Sequence, residues 1–547
     1  MSGCVNCITS FKHIKYLFSI TKTHPSVWMC YTPCLILLSI VGVAIPFLSG
    51  RFINALAYNK APYVALITLM LLMILRALAS PMLQRYIFAQ SRRMEIDLQC
   101  QVLHALMRLH PSELQKNANG ELIAKLSRDV YAVGGFIRGA YSRILQSCVM
   151  TLVAGGVLFL HSTILATLFL IVLPLVLLAF KPMACRFSER MHSVRIQGDV
   201  SFNSLFEYLF ALPLMRVLNA EQRFADKPLN ALASLKASND VNDKLGIDLG
   251  FLLSLPLVFG EILVLFVAGV LAAKAVIPVG DVVLYQMLFI SVVQSVNGVV
   301  GLVPEISSVV EGIDSLNEIL TSAESDAGSK IVKQVDKIEF NDVSFSYSAS
   351  AVGDVIKNFN GEFHVGSIVG LLGANGSGKT TLLKLAVNAI KPSSGRVLVN
   401  GHDFSEISMP DFRDRIGVVL QESLILPGTI RDNITLRKSR ISEDDINKAM
   451  RLTGFDAVVR RLPNGLDTII GFNSRNLSGG ESQRLAITRA IVRDPTILIL
   501  DEATNHLDKD SRQLLLELVR SLKHNRITFI VGHSKDVEEI CDEKIFL

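Results

Sequence analysis

Six long apolar runs, all ending before residue 305, decide most of what this chain can fold into. They cover residues 29–48, 63–83, 144–160, 163–180, 249–273 and 282–303. A bilayer core of ~30 Å is crossed by about 20 apolar helical residues, and only helices or closed barrels satisfy their backbone in lipid. These runs lack the alternation of a barrel strand, so the sequence predicts six membrane-spanning helices. Two of them carry one charge each, Arg76 in the second and Glu261 in the fifth. An intramembrane charge is costly and marks either function or pairing. Glu261 could face a cationic solute or pair with Arg76 or Arg143. Tyr285, Gln286, Gln294 and Asn297 give the sixth run a polar face that suits cavity lining or helix–helix contact equally.

The rest of the composition agrees. Apolar residues make up 50% of the chain and charged residues 19%. That excludes an ordinary soluble enzyme and a disordered chain. The formal charge of +5 implies no nucleic-acid partner. Eight cysteines in 547 residues are too few for a disulfide scaffold. Cys4 and Cys7 could bind metal, carry a lipid or stay as free thiols.

Lys and Arg set the orientation. The connections at 84–138 and 184–246 are rich in both, whereas the opposite connections hold only Arg51, Lys60 and Lys274. The positive-inside rule places the two long connections, both termini and the C-terminal part in the cytoplasm. The start of the chain has no cleavable-signal layout. Residues 11–20 suit a surface-lying amphipathic helix or a disordered tail. Residues 84–109 contain neither Gly nor Pro, so the second span is expected to continue as helix beyond the bilayer. Residues 203–224 read similarly, with a break or kink at Pro213. The expected organisation is a membrane part at 1–320, a polar linker at 321–335 and a second domain at 336–547.

In that second domain short β-branched runs alternate with helical patterns: 338–345, 367–372, 396–399, 416–420, 497–500 and 528–531. Such alternation predicts an α/β domain with a largely parallel sheet. After the second of these runs stands Gly373-Ala374-Asn375-Gly376-Ser377-Gly378-Lys379-Thr380-Thr381. It fits G-x-x-x-x-G-K-[ST] between a strand and a helix, the context that a phosphate loop requires. The glycines let backbone N–H groups face phosphate oxygens, and the helix N-terminus adds positive charge. Lys379 is placed to reach the terminal phosphates, and the Thr380 hydroxyl to hold Mg²⁺. Residues 497–502 form an apolar strand ending in Asp501 and Glu502. Asp501 is positioned for Mg²⁺, and Glu502 to orient and polarise an attacking water.

Between these elements lies Leu477-Ser478-Gly479-Gly480-Glu481. With it the chain resembles an ATP-binding-cassette transporter of the exporter-type half-transporter branch. The resemblance covers nearly the whole chain and is most specific in the cassette. It implies a polytopic helical membrane domain plus an α/β P-loop cassette, ATP and Mg²⁺ as ligands, and two cassettes meeting around nucleotide. In that family Ser478 and the backbone of Gly479 and Gly480 meet the γ-phosphate held by the other cassette. Glu481 stands where Gln is more usual. The resemblance also makes Tyr347 the adenine-stacking aromatic, Gln421 the Mg²⁺-sensing glutamine, Asp508 part of the loop linking the two sites, and His533 the switch histidine. His110–Leu114, Asn119–Leu122 and Leu126–Val130 resemble the first coupling segment.

There are departures from the pattern. Phe472 stands where exporters usually have Glu, Asn505 and His506 replace Ser and Ala, and related cassettes continue beyond Leu547, which implies lighter dimer contacts. No peptidase-like Cys/His segment precedes the first span, so leader cleavage is not expected. The resulting expectation is a homodimer in a bacterial inner membrane. It would export a peptide, lipid or drug-like solute, with an ATP-gated channel or regulatory subunit as the alternative.

Overall fold

The structure, a computed structural model, describes residues 25–58, 62–116, 122–123, 125–161, 163–322, 328–347, 354–421, 423–471, 477–504, 507–532 and 535–547. Cys4, Cys7, residues 11–20, Phe472, Asn505, His506 and His533 lie outside them. The chain divides into two compact units. One comprises Met1–Met107 and Asn117–Ala323, the other Arg108–Lys116 and Glu324–Leu547.

The first unit is helical. Its long helices are Thr32–Ala57, Tyr63–Met107, Ser142–His161, Thr163–Val217, Asp226–Ala273 and Val279–Val300, followed by Val303–Ser322. Among the described residues, five helical stretches are long and apolar enough to cross a membrane. The apolar run at 163–180 opens the 55-residue helix Thr163–Val217. At 1.5 Å per residue, helices of 45 to 55 residues are about 70–80 Å long, more than twice a bilayer core. The helices of the second and fourth runs are therefore too long to end at the lipid, and for the second this is what the absence of Gly and Pro at 84–109 predicts. Of the break or kink expected at Pro213, the break does not occur: the helix runs on to Val217. Pro213 stands four residues before the end at Val217, so few turns depend on the missing hydrogen bond.

Two tight features organise this unit. Gly50 and Gly280 bring two helices to backbone contact: a Cβ on Gly280 would lie 2.3 Å from the Gly50 carbonyl oxygen. Beside it the Asn54 side chain accepts from Gly280 N–H at 2.6 Å and donates to Asp281 Oδ1 at 2.8 Å. At the other feature, Arg195 donates to both oxygens of buried Asp129 at 3.0 Å and to Glu311 at 3.2 Å. Three chain segments are thereby tied through one guanidinium. Bidentate geometry makes this pairing stronger than an ordinary surface ion pair.

The second unit contains eleven strands among its described residues: β1 (Lys337–Phe345), β2 (Ile356–His364), β3 (Ile368–Leu372), β4 (Ser394–Val399), β5 (His402–Asp403), β6 (Ile416–Val419), β7 (Gly428–Thr429), β8 (Ile469–Ile470), β9 (Ile497–Asp501), β10 (Ile527–Val531) and β11 (Glu543–Phe546). A five-stranded sheet runs β11-β3-β10-β9-β6, all parallel, and an antiparallel sheet runs β2-β1-β4-β5. Strands β3, β9 and β10 are buried along their whole length, which explains their unbroken apolar sequences. One core packs β1, β2 and β4 against the parallel sheet through Phe340, Phe363 and Phe529, whose rings meet edge to face. A second core lies under the helices Gly479–Ile491 and Lys509–Leu522, and a third joins residues 425–485 into a helical subdomain. Val332 and Val335 are buried in the first core. Packed structure thus starts before residue 336, where the two valines supply apolar anchors inside the stretch read as linker.

Candidate nucleotide-binding site

Parallel β3, β10 and β9 are adjacent, so the carboxyl ends of β3 and β9 open at one edge of the sheet with a single strand between them. Ligands in open α/β sheets bind at such carboxyl ends. The loop after β3 turns through Gly373, Gly376 and Gly378, all with positive φ, into the helix Lys379–Ala386. A Cβ on Gly378, at φ 104°, would lie 2.8 Å from Ile356 Cδ1, so only glycine fits that bend. The helix has no side-chain cap, so its first N–H groups depend on some other acceptor.

Lys379 is buried and its Nζ donates to the Gly373 and Ala374 carbonyls, each at 2.8 Å. The ammonium thus lies back across its own loop. Asn375 is exposed at the loop tip. Ser377 Oγ is buried with no hydrogen-bond partner among the described residues. Thr380 Oγ1 donates to Asp501 Oδ2 at 3.0 Å and thereby joins the two motif ends. Burial pushes the Asp501 carboxyl above the usual range; the Thr380 bond partly opposes this and the neighbouring Glu502 charge adds to it. Glu502 adopts the left-handed conformation, φ 51°, with its N–H on the Val531 carbonyl. A left-handed glutamate carries a conformational cost and belongs to the class of strained residues found at functional sites. Gln421 Nε2 donates to Glu502 Oε2 at 2.9 Å. The Tyr347 hydroxyl is 3.2 Å from Thr381 Oγ1, and its exposed ring stands edge-on to Phe345 with centroids 4.9 Å apart.

The segment Ser478–Glu481 is built differently. Ser478 caps the helix Gly479–Ile491 in a reciprocal capping box: Glu481 N–H donates to Ser478 Oγ at 3.3 Å, and Ser478 N–H donates to Glu481 Oε2 at 2.8 Å. Glu481 at the usual glutamine position is therefore explained locally, because either residue can close the box. The Ser478 backbone bond, with Arg461 adding its charge, holds the Glu481 carboxyl below its usual range against the opposing effect of burial. Asp508 caps the helix Lys509–Leu522 by accepting from Ser511 N–H at 3.2 Å. Arg484 lies 3.7 Å from Asp508 and donates to Ser511 Oγ at 2.6 Å. Sequence reasoning did not single out Arg461 or Arg484. Their partners stand 20 and 24 residues away, beyond any local spacing rule.

The loop residues, Asp501, Glu502, Gln421 and Tyr347 thus form one connected group. Ser478 and Glu481 bond to each other, Glu481 also to Arg461, and Asp508 to Ser511.

This fold and this site define a transporter built from a helical membrane region and a nucleotide-binding α/β cassette. The chain belongs to the ABC transporter family: residues 28–296 match the ABC transporter transmembrane region and residues 356–505 match the ABC transporter cassette. It is 29% identical over 471 residues to the cyclolysin secretion/processing ATP-binding protein CyaB of Bordetella pertussis, covering 85% of this chain but 65% of that protein, less than two thirds of its length. It is 27% identical to the ATP-dependent lipid A-core flippase of Syntrophus aciditrophicus, covering 81% of this chain and 74% of the relative. Its fold matches that of a bacterial Atm1-family ABC exporter with ATP bound, with TM-score 0.82 and 19% identity over 94% of this chain and 92% of the other. It is a multi-pass membrane protein of the half-transporter type, with one membrane region and one cassette.

Proposed function

We propose that this chain is an ATPase that drives export of an amphipathic or hydrophobic solute, acting as a homodimer in a bacterial inner membrane with the cassette in the cytoplasm. The observation that carries the reading is the Thr380–Asp501 hydrogen bond, flanked by the Gln421–Glu502 bond. Together they bring a phosphate-loop hydroxyl, a buried carboxylate and a strained glutamate to one sheet edge.

The residues fit a nucleotide. Positive-φ glycines leave a cradle that a Cβ would fill, Ser377 Oγ is buried without a partner among the described residues, and Lys379 is close enough to turn from loop carbonyls to phosphate oxygens. They also fit Mg²⁺. Among the described residues no cluster of three His, Cys, Asp or Glu forms a ready-made metal cage. A hard-oxygen pair, Thr380 and Asp501, with Gln421 beside it suits an ion that keeps its waters and binds chiefly through phosphate. When bound, Mg²⁺ supplies charge neutralisation at the phosphates. Glu502 then holds and polarises a water by accepting its O–H at the carboxylate, and Gln421 fixes that carboxylate's orientation. Tyr347 offers its exposed ring to adenine. His533 is assigned the γ-phosphate contact on family resemblance alone. Ser478–Glu481 and Asp508 belong, on this reading, to the face that serves the partner's nucleotide, which is why one cassette per chain calls for two chains.

The test is Glu502→Gln in the purified full chain. ATP binding is expected to persist while turnover falls by about 10²–10⁴-fold, the usual scale of a general base. Turnover at the parent rate would remove Glu502 from this role.

A further inference from the structure

One buried amide of the cassette has no part in the site described above. Gln483 lies five residues after Ser478 on the helix Gly479–Ile491 and is 1% exposed. Its Nε2 donates to the Ala503 carbonyl at 2.6 Å, across 20 positions of sequence. Its Oε1 is also buried and has no hydrogen-bond partner among the described residues. Ala486 and Ile487 of that helix, with Ala503 and Leu507, belong to one apolar core. An amide that satisfies only its donor in such surroundings is costly, and a side chain of equal length without polar atoms would pack there at least as well. Packing therefore does not account for a glutamine at 483. The bond to Ala503 remains as the reason.

Ala503 directly follows Glu502, whose backbone is left-handed at φ 51°. A glutamate keeps that conformation only where its surroundings over-determine it. Three contacts support it: Glu502 N–H on the Val531 carbonyl at 3.2 Å, Gln421 on the carboxylate at 2.9 Å, and Gln483 on the next carbonyl. The first two come from the ends of strands β10 and β6. The third comes from a helix whose cap, Ser478, the proposed function assigns to the partner's nucleotide. Ser478 and Gln483 are about 7.5 Å apart along that helix, so a displacement of its cap is carried to Ala503.

We propose that Gln483 is a positioning residue for ATP hydrolysis. It holds the Ala503 carbonyl, which keeps Glu502 in its left-handed posture with the carboxylate on the attacking water. It also ties that posture to the helix presented to the other chain's nucleotide. The inference rests on the reading of Glu502 as the base and extends it to a residue buried behind the site.

The experiment uses the full chain in lipid discs and reads ATP turnover, equilibrium nucleotide affinity and thermal melting. Gln483→Met keeps the length of the side chain and removes the donor. It should lower kcat by about 10- to 100-fold, since misplacing a reacting group by about 1 Å costs up to that much. Nucleotide affinity should stay within about twofold, because the phosphate loop is untouched. The melting midpoint should stay within about 3 °C, the lost bond being offset by removal of the unpartnered oxygen. Gln483→Asn, one methylene shorter, withdraws the same donor without adding an apolar group and should lower kcat in the same direction. In single turnovers, adding Gln483→Met to Glu502→Gln should cause less than about a twofold further loss, since residues that act through one group are not additive.

Parent kcat in both Gln483 variants would overturn the inference, with or without a lowered midpoint, the latter being the mark of a purely structural glutamine. Affinity falling in step with kcat, or a full further loss on the Glu502→Gln background, would overturn it as well. Glu502→Gln is also read by itself. If it abolishes turnover while Gln483→Met leaves the parent rate, only this inference is lost. If it turns over at the parent rate, the proposed function loses its base and the inference falls with it.

Discussion

Two helix N-termini in the cassette have opposite designs. The helix Lys379–Ala386 starts from a left-handed glycine with no side-chain cap, and its first residue, Lys379, bonds back to the loop. The helix Gly479–Ile491 starts from an extended serine in a closed capping box, with a further salt bridge from Glu481 to Arg461 at 2.6 Å. The first leaves its positive end to be completed by a ligand; the second is stable by itself and can be presented to a partner without one. One helix is a receptor and the other a probe, although both begin with glycine-rich sequence.

Replacing parts of each end tests that contrast. Lys379→Ala should have the largest effect, weakening ATP binding by about 10²–10³-fold through loss of two charge-assisted contacts. Equilibrium nucleotide titration measures it; a change under about threefold would deny the lysine its role. Asp501→Asn should lower Mg²⁺-dependent nucleotide affinity by roughly tenfold while raising the stability of the ligand-free protein, because a buried charge is removed. The sign follows from the raised carboxyl. In the ligand-free parent the folded state holds its proton more tightly than the unfolded chain. The cost therefore grows as pH rises from the ordinary aspartate value of 3.8 through the folded value, and the Asn variant should lack this dependence. Thermal melts across that pH range read it directly.

Ser478→Ala should cost about 1 kcal/mol by loss of the cap. On the partner-facing reading it should reduce ATP turnover while leaving nucleotide affinity of the detergent-separated chain within about twofold, the residue being uninvolved in the loop. Equal losses of affinity and turnover would erase the difference between the two helix ends. Glu481→Gln should be the mildest, shifting stability by a few tenths of a kcal/mol because glutamine also closes a capping box. Glu481 has a lowered folded value, so its carboxylate stabilises fully above the ordinary value of 4.5 and loses that contribution as pH falls through the folded value. The glutamine variant should show no such loss in acid melts.

The contrast also explains what was legible from sequence. Strands β1, β3, β4, β6, β9 and β10 fall on the predicted runs because burial demands apolar, β-branched residues there. Strand β2 escaped notice. Its residues Lys357, Asn358, Asn360 and Glu362 face outward in an edge strand whose pairing with β1 is carried by backbone hydrogen bonds. Strand β11 is short and largely exposed for the same edge reason. The phosphate loop is contiguous and could be read whole, whereas the Gln421–Glu502 bond joins residues 81 positions apart and needs the sheet to exist. In the membrane unit, hydrophobic length revealed the spans but not which way Arg76 points. The Glu261–Gln286 contact shows the limit of pairing by charge alone, since an amide, rather than an arginine, answers the carboxylate.

The glycine seam at Gly50 and Gly280, stitched by Asn54, has a mechanical meaning. Two rods welded where no side chain separates them swing as one lever. On the proposed export reading the parting line must run elsewhere, and a bulky residue wedged into the weld would spread the very joint that has to stay shut.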